Sequence, residues 1–222
     1  MSSFIRILSQ TFLCAYLAIG TSLATAQTAP ATTGSNSAPT ILVLGDSLSA
    51  EYGIARGTGW VKLLEKRLQD EKLNFRVANA SISGDTTSGG VSRTPAALAQ
   101  HKPAIVILEL GANDALRGLS LSVARKNLIT MLEAARNAGA RPLVIGMQMP
   151  PNFGRAYTVQ FRQMFDDAAK EADAPLLPFF FEGFALDQRY FQDDGIHPNE
   201  AAQPKLLDNL WPVLKPMLIS GK

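Results

Sequence analysis

The sequence predicts an α/β protein of three layers, α/β/α, built on a doubly wound parallel sheet of about five strands. Short apolar runs alternate along the chain with longer segments whose apolar residues have helical spacing. One run, AIVILEL at 104–110, is apolar almost throughout, which is typical of a central parallel strand buried on both faces. The 222 residues, 46% hydrophobic and 18% charged, suffice for one domain with a substantial core.

Each element has its own local signal. The first strand is a β-branched apolar run that ends at Gly45, and the first helix begins at Trp60 with apolar residues at helical intervals. The predicted strands span 41–44, 75–78, 104–110, 143–146 and 175–178. The predicted helices span 60–71, 121–138 and 157–172, and a last helix begins near Gln203 and is interrupted by Pro212.

The first 26 residues are predicted to be a secretory signal peptide. Arg6 is the only charged residue in this segment, an apolar stretch follows at 11–23, and Ala24-Thr25-Ala26 forms an A-x-A cleavage site. The alternative is a membrane anchor. The apolar stretch is shorter than the roughly 20 residues of a membrane span and contains Ser, Thr and Gly, which favours cleavage after Ala26.

Residues 27–39 are small, polar and proline-containing, and they predict a flexible leader before a folded domain at 40–222. Removing residues 1–26 removes Cys14, the single cysteine, and a cysteine-free chain suits an oxidising compartment. We therefore expect a periplasmic or secreted protein with no stable membrane insertion after cleavage.

Composition excludes several classes of function. The 21 Lys and Arg against 19 Asp and Glu leave a net charge of +2 with no long run of either sign, unlike a nucleic-acid binder. A single cysteine excludes a disulfide framework and a cysteine-based zinc site, and two histidines are too few for a histidine-rich metal site.

Four polar loops are expected at the carboxyl edge of the sheet, where doubly wound proteins bind their ligands. The first strand runs into GDSLS at 45–49, the second into the Gly- and Thr-rich segment 81–90, and the third into GAND at 111–114. DDGIHP at 193–198 lies far downstream, in a loop before the last helix. Read alone, Ser47 fits a helix cap or a turn as well as a nucleophile, so its meaning depends on a nearby base.

The candidate base is His197. His101 precedes the third strand and is therefore expected at the opposite, amino edge of the sheet, which leaves His197 to activate Ser47. Asp194, three residues before His197, can fold back onto the imidazole and fix its tautomer, as in a serine-hydrolase triad. Asp193 is the competing carboxylate. The polar loops together favour nucleophilic catalysis at this edge.

These motifs resemble the four blocks of the SGNH (GDSL) hydrolases. The blocks are GDSLS at 45–49, Gly84, G-x-N-D at 111–114 and D-x-x-H at 194–197, in order and at strand ends. The chain is most similar to the periplasmic branch of acyl-CoA thioesterase I, lysophospholipase L1 and arylesterase, over about residues 40–211. The segments that carry this similarity are GDSLSAEYG, GANDALRG, PPNFGRAY and QDDGIHPNEAAQP.

The resemblance implies a flavodoxin-like SGNH hydrolase fold and a serine esterase or thioesterase. Its substrates would be small molecules such as aryl esters, acyl thioesters or lysophospholipids, hydrolysed through an acyl-enzyme without a metal or organic cofactor. The resemblance assigns Ser47 as nucleophile, His197 as base and Asp194 as its orienting carboxylate. It also assigns an oxyanion hole to the Ser47 and Gly84 amides and the Asn113 side chain.

Four residues are expected to bind the acyl part of the substrate: Leu116, Leu119, Pro150 and Phe153. Two of them lie in segment 115–120, which in related enzymes is a mobile loop over the acyl group, although Ala115 stands here where the family pattern has glycine. The other two follow the fourth strand at the same edge, so the two loops can flank one groove. The alternative is that the leucines pack inward and merely hold their loop.

A second class of function stays open, a non-catalytic α/β protein that binds lipid or phosphate. The Ser/Thr/Gly loop at 83–90 resembles an anion cradle, and the aromatic stretch at 179–184 suggests lipid binding, although core packing explains that stretch more simply. Asp46 and Asp114, which flank the nucleophile and the oxyanion donor, are expected to hydrogen-bond the loop backbone.

Overall fold

The computed structural model describes residues 38–219, which form the predicted three-layer α/β/α fold. Five parallel strands lie in the order β2-β1-β3-β4-β5. They are β1 (Thr40–Gly45), β2 (Arg76–Asn79), β3 (Ile105–Glu109), β4 (Arg141–Ile145) and β5 (Leu176–Leu177). Every predicted strand is present. The predicted signal peptide and nearly all of the predicted leader lie outside the described residues.

The helices form the two outer layers. They are α1 (Trp60–Asp70), α2 (Thr87–His101), α3 (Ala112–Leu116), α4 (Leu121–Asn137), α5 (Arg155–Glu171) and α6 (Gln203–Ile219). Helix α1 packs against α6, and α4 packs between α2 and α5. Within residues 38–219, no helix is both long enough and apolar enough to cross a membrane.

Sequence reasoning missed helix α2 and placed a loop over its first turn. Thr86 caps the helix by accepting a hydrogen bond from the backbone N–H of Gly89. Gly89, Gly90 and Pro95 all have low helix propensity, which hid the helical pattern. A Cβ at Gly90 would lie 2.5 Å from Leu110 Cδ1, so α2 packs closely onto the core at this glycine. Packing therefore overrides the weak local propensity.

The expected interruption of the last helix at Pro212 is wrong, because α6 continues through both Pro212 and Pro216 to Ile219. Both prolines lie on the exposed face of the helix. An interior proline costs about 3 kcal/mol, whereas each leucine that is fully buried contributes about 1.5–3 kcal/mol. Three leucines on the opposite face are fully buried and offset that cost: Leu206, Leu210 and Leu214.

The strand order determines where the functional loops meet. Strands β1 and β3 are neighbours, although the chain visits β2 between them, so the connections leaving them run in opposite directions along the sheet. A crevice opens at such a switch point, outside the carboxyl ends of the strands. The register pairs Gly45 of β1 with Glu109 of β3, which brings the loops containing Ser47 and Asn113 side by side.

Candidate active site

Three predicted catalytic residues form one hydrogen-bonded row. Ser47 lies in the tight turn that follows β1, and its Oγ is 2.9 Å from Nε2 of His197. The other ring nitrogen of His197, Nδ1, is 2.6 Å from Oδ2 of Asp194. The structure thus joins residues that are 150 positions apart in the chain.

Asp194, and not Asp193, is the carboxylate that contacts the imidazole. Its second oxygen accepts hydrogen bonds from the backbone N–H groups of Ile196 at 2.9 Å and His197 at 3.0 Å. Burial alone would raise the pKa of Asp194, but the hydrogen bonds from the His197 backbone, the His197 ring and the Ile196 backbone lower it to about 2. Asp194 is therefore ionised and held in a fixed orientation against His197.

Tyr52 packs against the imidazole and was not singled out by sequence reasoning. The ring centroids of Tyr52 and His197 are 4.5 Å apart, with an interplanar angle of 43°. The Gln192 side chain donates hydrogen bonds to the carbonyls of Tyr52 at 2.9 Å and Pro198 at 3.2 Å. This amide joins the loop that contains Ser47 to the loop that contains His197. The only available signal was the place of Tyr52 in the segment GDSLSAEYG.

Asn113, the predicted oxyanion donor, lies in the short helix α3 that follows β3. Its Nδ2 donates a hydrogen bond to Oδ2 of Asp46 at 2.9 Å. The other oxygen of Asp46 accepts a hydrogen bond from the Leu48 backbone N–H at 3.1 Å, which confirms the expected bond from this carboxylate to its loop. Asp46 therefore connects the turn containing Ser47 with Asn113.

Asp114 ties α3 to the start of α2. Its two oxygens accept hydrogen bonds from the backbone N–H of Thr87 at 2.8 Å and from the Thr87 hydroxyl at 2.6 Å. The expected backbone contact of Asp114 is confirmed. Tyr157 of α5 donates a hydrogen bond to the carbonyl of Ala115 at 3.1 Å, so α3 is anchored from a second side.

Gly84 occupies a turn between β2 and α2. Its φ of +76° lies in the left-handed region, where a side chain would cost energy, so the turn favours glycine. The carbonyl of Gly84 accepts a hydrogen bond from Arg117 at 2.6 Å. Arg93 holds the same loop against β1, because its guanidinium pairs with Asp85 at 2.6 Å and donates to the Gly45 carbonyl at 3.1 Å.

Glu109 is a buried acid that sequence reasoning missed. It is the last residue of β3, only 3% exposed, and its Oε2 accepts hydrogen bonds from Ser49 Oγ at 2.7 Å and from the Asp46 N–H at 3.3 Å. Burial, followed by the charge of Asp46, raises the pKa of Glu109 well above its ordinary value. Burial also raises the pKa of Asp46 to about 6, against the opposing hydrogen bonds from Leu48 and Asn113.

This pair predicts a pH-dependent cost in stability. A carboxyl group whose pKa is raised by folding binds more protons in the folded than in the unfolded state, so the free energy of unfolding falls as pH rises above the unfolded pKa of about 4. For Asp46 this fall ends near pH 6, and Glu109 adds a fall of the same sign because its pKa is also raised. Glu109→Gln is expected to be more stable than the natural protein near pH 8, and the difference should shrink towards pH 4.

Urea unfolding of both proteins between pH 4 and pH 8 measures this difference. Each unit by which folding raises the pKa of Glu109 corresponds to about 1.4 kcal/mol. Glu133→Gln, on the exposed face of α4, is the control for removal of a carboxylate from the surface. If the stability difference between Glu109→Gln and the natural protein does not vary with pH, folding does not raise the pKa of Glu109.

A cavity of about 1060 Å³ begins at Ser47 and His197. Three of the four predicted substrate-binding residues line it: Leu116, Pro150 and Phe153. Leu119, which is also exposed, is not among the lining residues. The aromatic stretch 179–184 divides between two roles: Phe180 packs in the core against Trp60, and three of its other phenylalanines line the cavity, namely Phe179, Phe181 and Phe184.

Residues 43–203 match the GDSL-like lipase/acylhydrolase family. The chain belongs to this family. The membership confirms the resemblance and the predicted class of enzyme, a carboxylic ester hydrolase, over the non-catalytic alternative.

Relatives of this GDSL hydrolase include proteins named as esterases and as a thioesterase. Esterase TesA of Pseudomonas aeruginosa is 51% identical over 181 residues, which are 82% of this chain and 90% of the relative. Thioesterase 1/protease 1/lysophospholipase L1 of Escherichia coli K12 is 44% identical over 181 residues, 82% of this chain and 86% of the relative. A crystal structure of the psychrotrophic esterase EstA from Pseudoalteromonas, inhibited by monoethylphosphonate, superposes with a TM-score of 0.77 at 38% identity, covering 81% of this chain and 98% of EstA.

Proposed function

We propose that this GDSL hydrolase cleaves carboxylic esters and thioesters through the triad Ser47, His197 and Asp194. The hydrogen-bonded row from Ser47 Oγ through the imidazole to the Asp194 carboxylate carries the proposal. His197 accepts the Ser47 proton at Nε2 while Oγ attacks the acyl carbonyl, and Asp194 stabilises the imidazolium through Nδ1. The imidazolium then protonates the leaving group, and an acyl-enzyme remains on Ser47.

Water completes the reaction by the same route. His197 removes a proton from a water molecule, which attacks the acyl-enzyme and releases the carboxylic acid, and Ser47 recovers its proton. In each half-reaction the carbonyl oxygen gains negative charge. We assign the donors for this charge to the backbone amides of Ser47 and Gly84 and to the Asn113 side chain, which lies beside Asp46 at the same edge.

The cavity supports a substrate with an apolar acyl chain. It extends from Ser47 between the loop after β3 and the loop after β4, and apolar side chains from both loops line it. Burial of a CH₂ group contributes about 0.8 kcal/mol, so four extra buried methylenes would raise kcat/KM about a hundredfold. Long acyl esters, acyl thioesters and lysophospholipids all have such a chain.

Leu116→Ala is expected to lower kcat/KM for octanoyl esters about fivefold to tenfold and to change kcat/KM for acetyl esters little, because a short acyl group does not reach the removed side chain. A chain-length series of p-nitrophenyl esters measures the difference. Leu119→Ala is the matched control, since Leu119 has the same 44% exposure but lies outside the cavity. Equal losses for both acyl lengths would mean that Leu116 supports the oxyanion hole instead.

We also propose that residues 1–26 are a signal peptide and that the mature enzyme begins at Gln27 in the periplasm or outside the cell. Arg6, the apolar stretch and the A-x-A site at 24–26 support this proposal. N-terminal sequencing of the protein exported by a Gram-negative host should find Gln27 first. Recovery of a chain that still begins at Met1 in the membrane fraction would instead indicate an anchor.

A further inference from the structure

Glu109 lies directly beneath the turn that contains the nucleophile. Its Oε2 accepts hydrogen bonds from residues on both sides of Ser47, the N–H of Asp46 and the hydroxyl of Ser49. The side chain has almost no contact with solvent, and burying a carboxyl group there costs free energy that an apolar residue would not cost. Neither the triad nor the oxyanion hole accounts for an acid at this position.

The hydrogen bonds continue from Glu109 to the proposed oxyanion hole. Asp46, only 1% exposed, donates its backbone N–H to Glu109 and accepts the Asn113 side-chain amide at 2.9 Å. The Leu48 N–H binds the other oxygen of Asp46. Every polar contact of the Asp46 side chain is thus directed at the turn or at Asn113.

The surroundings of Asp46 stabilise a negative charge better than those of Glu109 do. Two adjacent buried carboxyl groups do not both ionise, because the second charge would face the first in a poorly solvated site. Asp46 has the stronger stabilisation as an anion, with two N–H donors and the imidazole of His197 nearby, while Asp85, the other nearby carboxylate, is paired with Arg93. Burial and the neighbouring charge of Asp46 accordingly raise the pKa of Glu109 well above its ordinary value.

The orientation of the Asn113 amide decides whether it can hold an oxyanion. A side-chain amide has a nitrogen with two N–H groups on one side and a carbonyl oxygen on the other. Rotation of the amide by 180° exchanges the nitrogen and the oxygen. An anionic Asp46 accepts one N–H of Asn113 and leaves the second N–H for the substrate. The reversed amide would direct its carbonyl oxygen at both the Asp46 carboxylate and the oxyanion.

We propose that Glu109 is a positioning residue: by accepting hydrogen bonds from the Asp46 N–H and the Ser49 hydroxyl it fixes the turn that places the Asp46 carboxylate, which in turn orients the Asn113 amide towards the oxyanion. This inference rests on the oxyanion hole assigned under the proposed function. Glu109 acts through Asp46 and touches no substrate atom. Its effect is therefore expected on the transition state, where charge develops on the carbonyl oxygen, and not on substrate binding.

Glu109→Met tests the proposal, since methionine has a similar size but cannot hydrogen-bond to the turn. We expect kcat to fall about tenfold to a hundredfold with KM nearly unchanged, a smaller loss than removal of an oxyanion donor itself. Glu109→Gln should recover most of this loss, because the amide oxygen of glutamine can still accept hydrogen bonds from the Asp46 N–H and the Ser49 hydroxyl. Ile107→Val, equally buried on the same strand, is the control for a disturbed core.

A double-mutant cycle with Asn113→Ala separates positioning from general damage. If Glu109 acts through Asn113, adding Glu109→Met to Asn113→Ala should lower kcat less than about threefold further. An unchanged tenfold or greater loss in both backgrounds would overturn the inference while leaving the oxyanion hole in place. If Asn113→Ala alone leaves kcat intact, the assigned oxyanion hole is wrong and the inference fails with it.

Ser49→Ala provides the same test if Glu109→Met does not fold. It removes the hydroxyl that donates to Glu109 and leaves the acid itself in place. We expect a smaller decrease in kcat, about threefold to tenfold, that likewise disappears in the Asn113→Ala background. A decrease of equal size in that background would contradict the proposed connection.

Discussion

Replacing Ser47 with alanine is expected to abolish ester hydrolysis and covalent labelling by a fluorophosphonate together. Removing the nucleophile of a serine triad lowers kcat by about 10⁶-fold, and only the slow reaction supported by binding and the oxyanion hole remains. The fluorophosphonate forms its bond with the same oxygen, so labelling must disappear with hydrolysis. Hydrolysis of a p-nitrophenyl ester and mass spectrometry of the labelled protein give the two measurements.

The fold should survive the change in Ser47, because the described hydrogen bond of its side chain is to the imidazole of His197 and not to the core. Circular dichroism and thermal unfolding check this point. Ser92→Ala is the matched control, since Ser92 lies on the exposed face of α2 and bonds only within its helix. If the fluorophosphonate labels the Ser47→Ala protein as strongly as the natural protein, the nucleophile is another residue.

Asp194→Asn is expected to have the second-largest effect, a loss of about 10⁴-fold in kcat. An asparagine side chain can present an N–H to the imidazole, which favours the tautomer with its proton on Nε2, and such a ring cannot accept the Ser47 proton. The substitution also removes the negative charge that stabilises the imidazolium. KM should change far less than kcat, because Asp194 lies behind His197 and faces away from the substrate.

Asp193→Asn is a stringent control for this prediction. It makes the same chemical change one residue earlier, at an exposed carboxylate that does not contact the imidazole. We expect it to retain kcat within about twofold, as is usual for surface substitutions. Comparable losses in both variants would indicate that the charge of the loop matters and that the contact between Asp194 and His197 does not.

The sequence was most informative where short loops follow strands. A strand ending at Gly45 and a parallel sheet suffice to place Ser47 at the ligand-binding edge, and the accounting of histidines leads to His197. The contact between Asp194 and His197 is local in the chain, and the contact between Ser47 and His197 follows once the sheet brings their two loops to the same edge. Local pattern and global topology therefore agree at the triad.

Other features depend on contacts that no local pattern encodes. Glu109 appears in the sequence as one polar residue in an apolar strand, and its partners, Asp46 and Ser49, lie about 60 positions away. Tyr52 contacts His197 across two distant loops, which Gln192 also joins. These contacts form only when the sheet assembles, so no local sequence pattern indicates them.

The close packing of side chains against Gly45 limits the substitutions that this site can accept during evolution. A Cβ at residue 45 would lie 2.7 Å from Oε2 of Glu109 and 2.6 Å from Oγ of Ser49, so even alanine collides with side chains from two other parts of the chain. Alanine at 45 therefore becomes acceptable only after both neighbours have changed, because the Ser49 Cβ would itself lie 2.8 Å away even without its hydroxyl. The glycine of the GDSL motif is thus constrained by epistasis with residues 49 and 109, and a selection from libraries randomised at 45, 49 and 109 would recover substitutions at these positions in combination.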